Sequence, residues 1–118
     1  MNTIRRIQPG PRYSEACVHQ GTVYLAGQVA DDASQDIEGQ TAQVLQAIDR
    51  LLAEAGSAKA RILMAQVFLA DLADYDGMNR AWDAWVAPGQ APCRATVQAA
   101  LAKPQWRVEI VVTAALDA

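Results

Sequence analysis

Positive charge is scarce in this chain. Lys59 and Lys103 are its only lysines, and with scattered arginines the basic residues number 10 against 13 acidic ones, a formal net charge of -3. Binding to nucleic acid draws most of its affinity from clustered Lys and Arg on phosphates, so this balance works against a nucleic-acid partner. Metal-ligand patterns are missing as well. The single histidine, His19, has no partner at ligand spacing, and Cys17 and Cys93 form no CxxC pair, so no metal site is predicted. No window approaches eighteen uninterrupted apolar residues, which excludes a helix spanning a membrane. The arginines of Met1-Asn2-Thr3-Ile4-Arg5-Arg6-Ile7 are followed by no apolar stretch of the secretory kind. The expected location is the cytoplasm, where two cysteines stay free thiols.

What is present is enough for a core. Apolar residues make up 52% of the 118 and charged ones 19%, the balance of one soluble domain over residues 1–118. Gln8-Pro9-Gly10-Pro11 and Gln20-Gly21-Thr22 are turn signals, and they separate strands at Ile4 to Ile7, Tyr13 to His19 and Val23 to Val29. Gly27 interrupts the third of these. It marks either a bulge or a place where a ligand approaches bare backbone. Ile37, Thr41, Val44, Leu45, Ile48, Leu51 and Leu52 recur at helical steps, with Asp36 or Ser34 to cap the start and Gly56 to end it. A strand over Ile62 to Ala70 precedes a second helix opening at Asp71, with Tyr75, Met78, Trp82, Trp85 and Val86 as its apolar stripe and Pro88-Gly89 as its stop. At helical spacing this stripe reads as core rather than as a binding surface, with Asn79 at its edge.

The last third predicts strands at Arg94 to Leu101 and Trp106 to Leu116, the second apolar on both faces. Two helices cover only one face of a sheet of five or six strands, so the other needs a second subunit. A homo-oligomer with facing sheets is expected. Within the first of these strands stands Arg94, whose guanidinium cannot shed its charge on burial. Something anionic must meet it: Glu109, a chain terminus or a small carboxylate ligand. If the two strands form a hairpin across Ala102 to Gln105, Glu109 lies opposite Gln98 and on the face of Thr96 and Arg94. Arg94 is then about 13 Å further along, room for one water and a small carboxylate between two long side chains. The same residues also suit an ion pair that fixes strand register. A slip of one residue would put Glu109 on the opposite face.

Several motifs, taken together, resemble the reactive intermediate deaminase (Rid, YjgF-type) family over essentially the whole chain. They are Tyr13-Ser14-Glu15-Ala16, Ala26-Gly27-Gln28, Ile37 through Gln40-Thr41, Val67-Phe68-Leu69-Ala70-Asp71 with Tyr75 and Asn79, Pro92-Cys93-Arg94-Ala95-Thr96-Val97, and Val108-Glu109-Ile110. The wording of Arg61-Ile62-Leu63 and Met78 to Trp85 is nearest a YoaB-like subgroup. The resemblance implies an α+β, chorismate-mutase-like fold: a mixed six-stranded sheet with two helices on one face, assembled as a homotrimer with intersubunit clefts. It implies hydrolysis of enamines and imines such as 2-aminoacrylate and 2-iminopropionate to 2-keto acids and ammonia, with no metal or cofactor. By position, Arg94 matches the arginine holding the substrate carboxylate and Glu109 the acid that orients or activates water. Tyr13, Gly27, Asn79 and Thr96 match further cleft positions.

Three positions depart from that pattern. Thr96 stands where many active members have cysteine, Cys93 where alanine is usual, and Arg12 in place of a frequent proline. A thiol nucleophile is thus not expected, which suits attack by water. The competing reading is a non-catalytic trimeric module that binds small carboxylates, with Glu109 structural. RNA cleavage, associated with some members of the family, is opposed by the acidic balance.

Overall fold

A computed structural model describes residues 3–117. Its strands and helices are β1 (Arg5–Pro9), β2 (Ser14–His19), β3 (Thr22–Leu25), α1 (Ile37–Ala55), β4 (Ile62–Leu69), α2 (Tyr75–Trp85), β5 (Cys93–Gln98) and β6 (Val108–Ala115). They form one mixed sheet in the order β1-β2-β3-β6-β4-β5, with both helices on one face. The α+β architecture is the one expected.

Local chemistry sets the helix ends. Asp36 caps α1 by accepting from the amide of Gly39 at 2.8 Å, and Gly56 closes it at a φ of 91°, a left-handed conformation that favours glycine. Asp71 caps a short 3-10 turn over Leu72–Asp74, so α2 begins at Tyr75, later than the sequence predicts. The apolar positions of α1 lie against Val18, Val23, Val67 and Ile110 of the sheet, all buried in one core. Each Leu or Ile fully buried there contributes about 1.5–3 kcal/mol. Gln40 is the polar exception. Fully enclosed on α1, its amide nitrogen reaches the carbonyls of Ala33, Gln35 and Gln105 at 3.1–3.2 Å, and its oxygen accepts from the Arg107 amide at 3.0 Å. It ties the connection before β6 to the first turn of α1.

The expected hairpin between the last two strands does not form. β5 pairs in parallel with β4, through the crossover that contains α2, and β6 inserts between β3 and β4, antiparallel to both. The physical reason is burial. β6 is apolar on both faces and is best placed inside the sheet, whereas β5, with exposed Cys93, Ala95 and Val97, goes to the edge. Glu109 therefore neighbours Phe68, not Gln98. Gln98 neighbours Leu69, and its side-chain oxygen accepts from the Leu72 amide at 2.9 Å.

The face away from the helices carries Tyr24, Met64, Phe68, Val97, Val111 and Thr113 in adjoining strands. Tyr24 is 51% exposed, Met64 41% and Val97 47%. Nothing within the described residues covers this apolar face, as the count of helices predicts. No helix among them is long and apolar enough to cross a membrane.

Candidate functional site

The parity of the sheet decides where the candidate residues go. Along β4, Ala65, Val67 and Leu69 are fully buried under the helices, and their neighbours on β5 are Arg94, Thr96 and Gln98. Phe68 belongs to the other parity, and beside it stand Val97 on β5 and Glu109 on β6. Arg94 and Glu109 thus leave opposite faces of the sheet, and a constellation of the two within one chain is corrected to two separate half-sites. They are also not an ion pair. Among the described residues the salt bridges are Arg80–Glu38 at 2.8 Å and Arg107–Asp74 at 3.4 Å.

The first half-site is the guanidinium of Arg94, half-buried against α2. Its Nη1 donates to Asn79 Oδ1 at 2.8 Å and lies 3.7 Å from Met78 Sδ, and its Nη2 is 3.4 Å from the Tyr75 hydroxyl. The cation also sits 5.0 Å from the centre of the Trp82 ring and 5.9 Å from that of Tyr75. Rings at this range attract a cation through their quadrupole, by about 0.5–2 kcal/mol. The stripe predicted as core is therefore both things at once: Met78 and Trp82 are buried in it, and its sheet-edge end receives the arginine. Asn79, placed by its spacing at the edge of the stripe, is half-buried and bonded to the arginine. Thr96, two residues on, has its hydroxyl oxygen buried with no hydrogen-bond partner.

The second half-site is a cleft of about 370 Å³ whose lining includes Tyr13, Ala26, Gly27, Ala102, Trp106 and Glu109. The pairing of β3 with β6 stops short of Gly27 and resumes only at the bridge between Gln28 and Ile110. Gly27 thus lies in an irregular stretch of the chain, and its missing side chain has a definite use. A Cβ there would overlap the Glu109 carboxylate and stand 2.9 Å from its Cδ. The carboxylate rests on bare backbone: the close approach at Gly27 is made by a side chain of the same sheet, and the strand ends before this residue with no bulge in its pairing. Tyr13, 64% exposed just before β2, and Trp106 form the rim. Trp106 escaped the sequence reading, as did the cradling roles of Tyr75, Met78 and Trp82, because helical spacing alone does not reveal which residue an apolar stripe faces.

Chemically, one half-site offers an oriented cation without a counter-charge, and the other a carboxylate in a small apolar-rimmed cleft. Among the described residues no cluster of three or more His, Cys, Asp or Glu side chains is placed to hold a metal ion. A more polar cavity of about 340 Å³, bordered by Glu15, Asp31, Arg50 and Glu54, contains none of the predicted site residues.

Comparison with known proteins agrees across the chain. The profile of the family described as Endoribonuclease L-PSP matches residues 3–116. A RutC family protein from Haemophilus ducreyi is 54% identical over 114 residues, 97% of this chain and 97% of the relative. RutC family protein YoaB from Escherichia coli is 46% identical over 114 residues, 97% of this chain and 99% of the relative. The crystal structure of a member of the YjgF protein family from Neisseria meningitidis superposes with a TM-score of 0.97 at 49% identity, covering 99% of this chain and 98% of that one.

Proposed function

The chain belongs to the Endoribonuclease L-PSP family, which takes in the YjgF and RutC proteins, and from that premise we propose that it is an enamine/imine deaminase of the Rid type. Its substrates are 2-imino acids such as 2-iminopropionate, and its products a 2-keto acid and ammonia. The observation that carries the reading is the state of Arg94: half-buried and tightly held, yet contacted by neutral groups alone. A half-buried cation with no anion of its own is complementary to a small carboxylate, and such a charge-assisted contact is worth about 1.5–3 kcal/mol.

The two half-sites meet between subunits. Because Arg94 and Glu109 leave opposite faces, a ligand held by both needs Arg94 from one chain and the Tyr13–Gly27–Glu109 cleft from another. The uncovered apolar face supplies the contact surface, and a homotrimer closes it cyclically. In the reaction, the Arg94 fork grips the substrate carboxylate. Glu109 accepts a proton from water as the water oxygen bonds to the imine carbon, the C=N π pair passes to nitrogen, and Glu109 returns the proton to that nitrogen to give the neutral carbinolamine. The carbinolamine then collapses: its hydroxyl loses a proton, nitrogen gains one, and the C–N bond breaks to release ammonia. No covalent enzyme intermediate is required, in keeping with Thr96 in place of a thiol.

The test is ammonia or pyruvate release from 2-aminoacrylate generated in situ. Release no faster than in buffer defeats the deaminase, and 2-ketobutyrate binding without turnover would support the carboxylate-binding module instead. Mixed subunits address the split site. Arg94→Lys and Glu109→Ala are each expected to be inactive in a folded trimer. Scrambled together in equal amounts, they should regain intact clefts at about one interface in four by random assembly. No recovery on mixing, or a monomeric mass in light scattering, rules out a site shared between chains.

A further inference from the structure

We propose that Asn79 is a positioning residue for Arg94, and that α2 thereby selects which edge of the guanidinium a ligand meets. The inference rests on the carboxylate-binding role of Arg94 given above and assigns Asn79 a task other than touching substrate. Tyr75, Met78, Asn79 and Trp82 stand at the first, fourth, fifth and eighth positions of α2, one stripe of a helix. All four contact the Arg94 side chain.

Donor accounting makes the selection specific. A guanidinium has five N–H groups. The two on Nη1 are directed at Asn79 Oδ1 and Met78 Sδ, and one on Nη2 at the Tyr75 hydroxyl. What remains is Nε–H and the second hydrogen of Nη2. The Nε–Nη2 side, one of the two edges at which a guanidinium grips both oxygens of one carboxylate, is therefore the edge the protein engages least. The three occupied donors hold the group against rotation about its last bonds, and the ring of Trp82, 5.0 Å away, supports one face.

Neutrality is the second requirement. The Asn79 oxygen orients the cation without cancelling its charge. A carboxylate at the same place would be a better acceptor and a worse choice, because it would compete with the ligand as counter-ion.

The experiment compares binding of 2-ketobutyrate with that of 2-ketobutyramide, its uncharged analogue, by calorimetry, alongside imine turnover. The wild-type protein is expected to favour the acid. Asn79→Ala is expected to weaken the acid about tenfold and leave the amide unchanged, with KM raised and kcat within about twofold, since an unheld fork loses directionality and not chemistry. Asn79→Asp keeps the size and the acceptor and is expected to weaken the acid further than Asn79→Ala does. If the wild type discriminates and both variants keep full discrimination, the inference fails and the proposed function stands. If both variants weaken acid and amide equally, Asn79 contacts the ligand directly and the inference also fails. A wild type that does not distinguish acid from amide overturns the role of Arg94, and this inference with it.

Discussion

Replacing Gly27 with alanine separates catalysis from stability more cleanly than any other single change in this chain. The added methyl would overlap the Glu109 carboxylate, lying 2.9 Å from Cδ and 3.2 Å from Cγ. The backbone of Gly27 is not left-handed, and the three atoms nearest to an added methyl all belong to the Glu109 side chain. A carboxylate at the end of a flexible side chain can rotate away, at about 0.5–1.5 kcal/mol for leaving its preferred rotamer. The fold should therefore hold, with the melting temperature lowered by a few degrees. Activity should not, on the proposed function: moving Glu109, the general base of that proposal, off its position forfeits much of the factor of about 10²–10⁴ that such a base supplies. Gly77→Ala is the control. There the new Cβ would stand 2.5 Å from Ile37 Cγ2, between two packed helices that cannot rotate aside, and overpacking of this kind costs about 1–3 kcal/mol. Thermal unfolding and ammonia release on both variants complete the comparison. A Gly27→Ala enzyme with kcat within a factor of two of wild type, or one as destabilised as Gly77→Ala, refutes the reasoning.

Thr96→Val should leave the urea midpoint unchanged or raise it, because the hydroxyl it removes is buried without a partner and carries a desolvation penalty of about 1–3 kcal/mol; a lower midpoint contradicts this. Gln40→Leu should cost at least about 3 kcal/mol in the same assay, since three carbonyls and the Arg107 amide lose a buried partner together. An unchanged midpoint would show that water replaces it. The carboxyl of Asp32 is held below its ordinary 3.8 chiefly by the Ser34 hydroxyl, then by the Ser34 amide and Gln35. A lowered folded pKa means that its stabilisation is present above about pH 4 and lost as the pH falls below it. Ser34→Ala should move the Asp32 titration upward in carboxyl NMR, and no movement would remove that hydroxyl as the main cause.

The elements were legible because their signals are local. The helical recurrence of Ile37 to Leu52 and the caps at Asp36 and Gly56 need only neighbours within a turn or two, and α1 runs where they say. The turn at Gly21 likewise separates β2 from β3, which pair as expected. Strand order is a different kind of information. Nothing within Arg94 to Leu101 or Trp106 to Leu116 states that Ile62 to Leu69 will come between them. The one clue was the two-faced apolarity of β6, which signals an interior strand and could have argued against a hairpin at the edge.

That error of order matters more for the site than for the fold. In a sheet the choice of neighbour sets parity, and parity decides whether two side chains can share a ligand. With β4 interposed, Arg94 aligns with Ala65 and Glu109 with Phe68, one on each face. The same residue types keep their chemistry but change their address: a cation cradled by α2 at the edge strand, and a carboxylate laid over Gly27 on the uncovered face. On the proposed function, a monomer with this sheet has two halves of a site and no whole one. The apolar surface that asks for a partner and the half-sites that ask for each other are thus one requirement, set by a single strand placed inside the sheet instead of beside it.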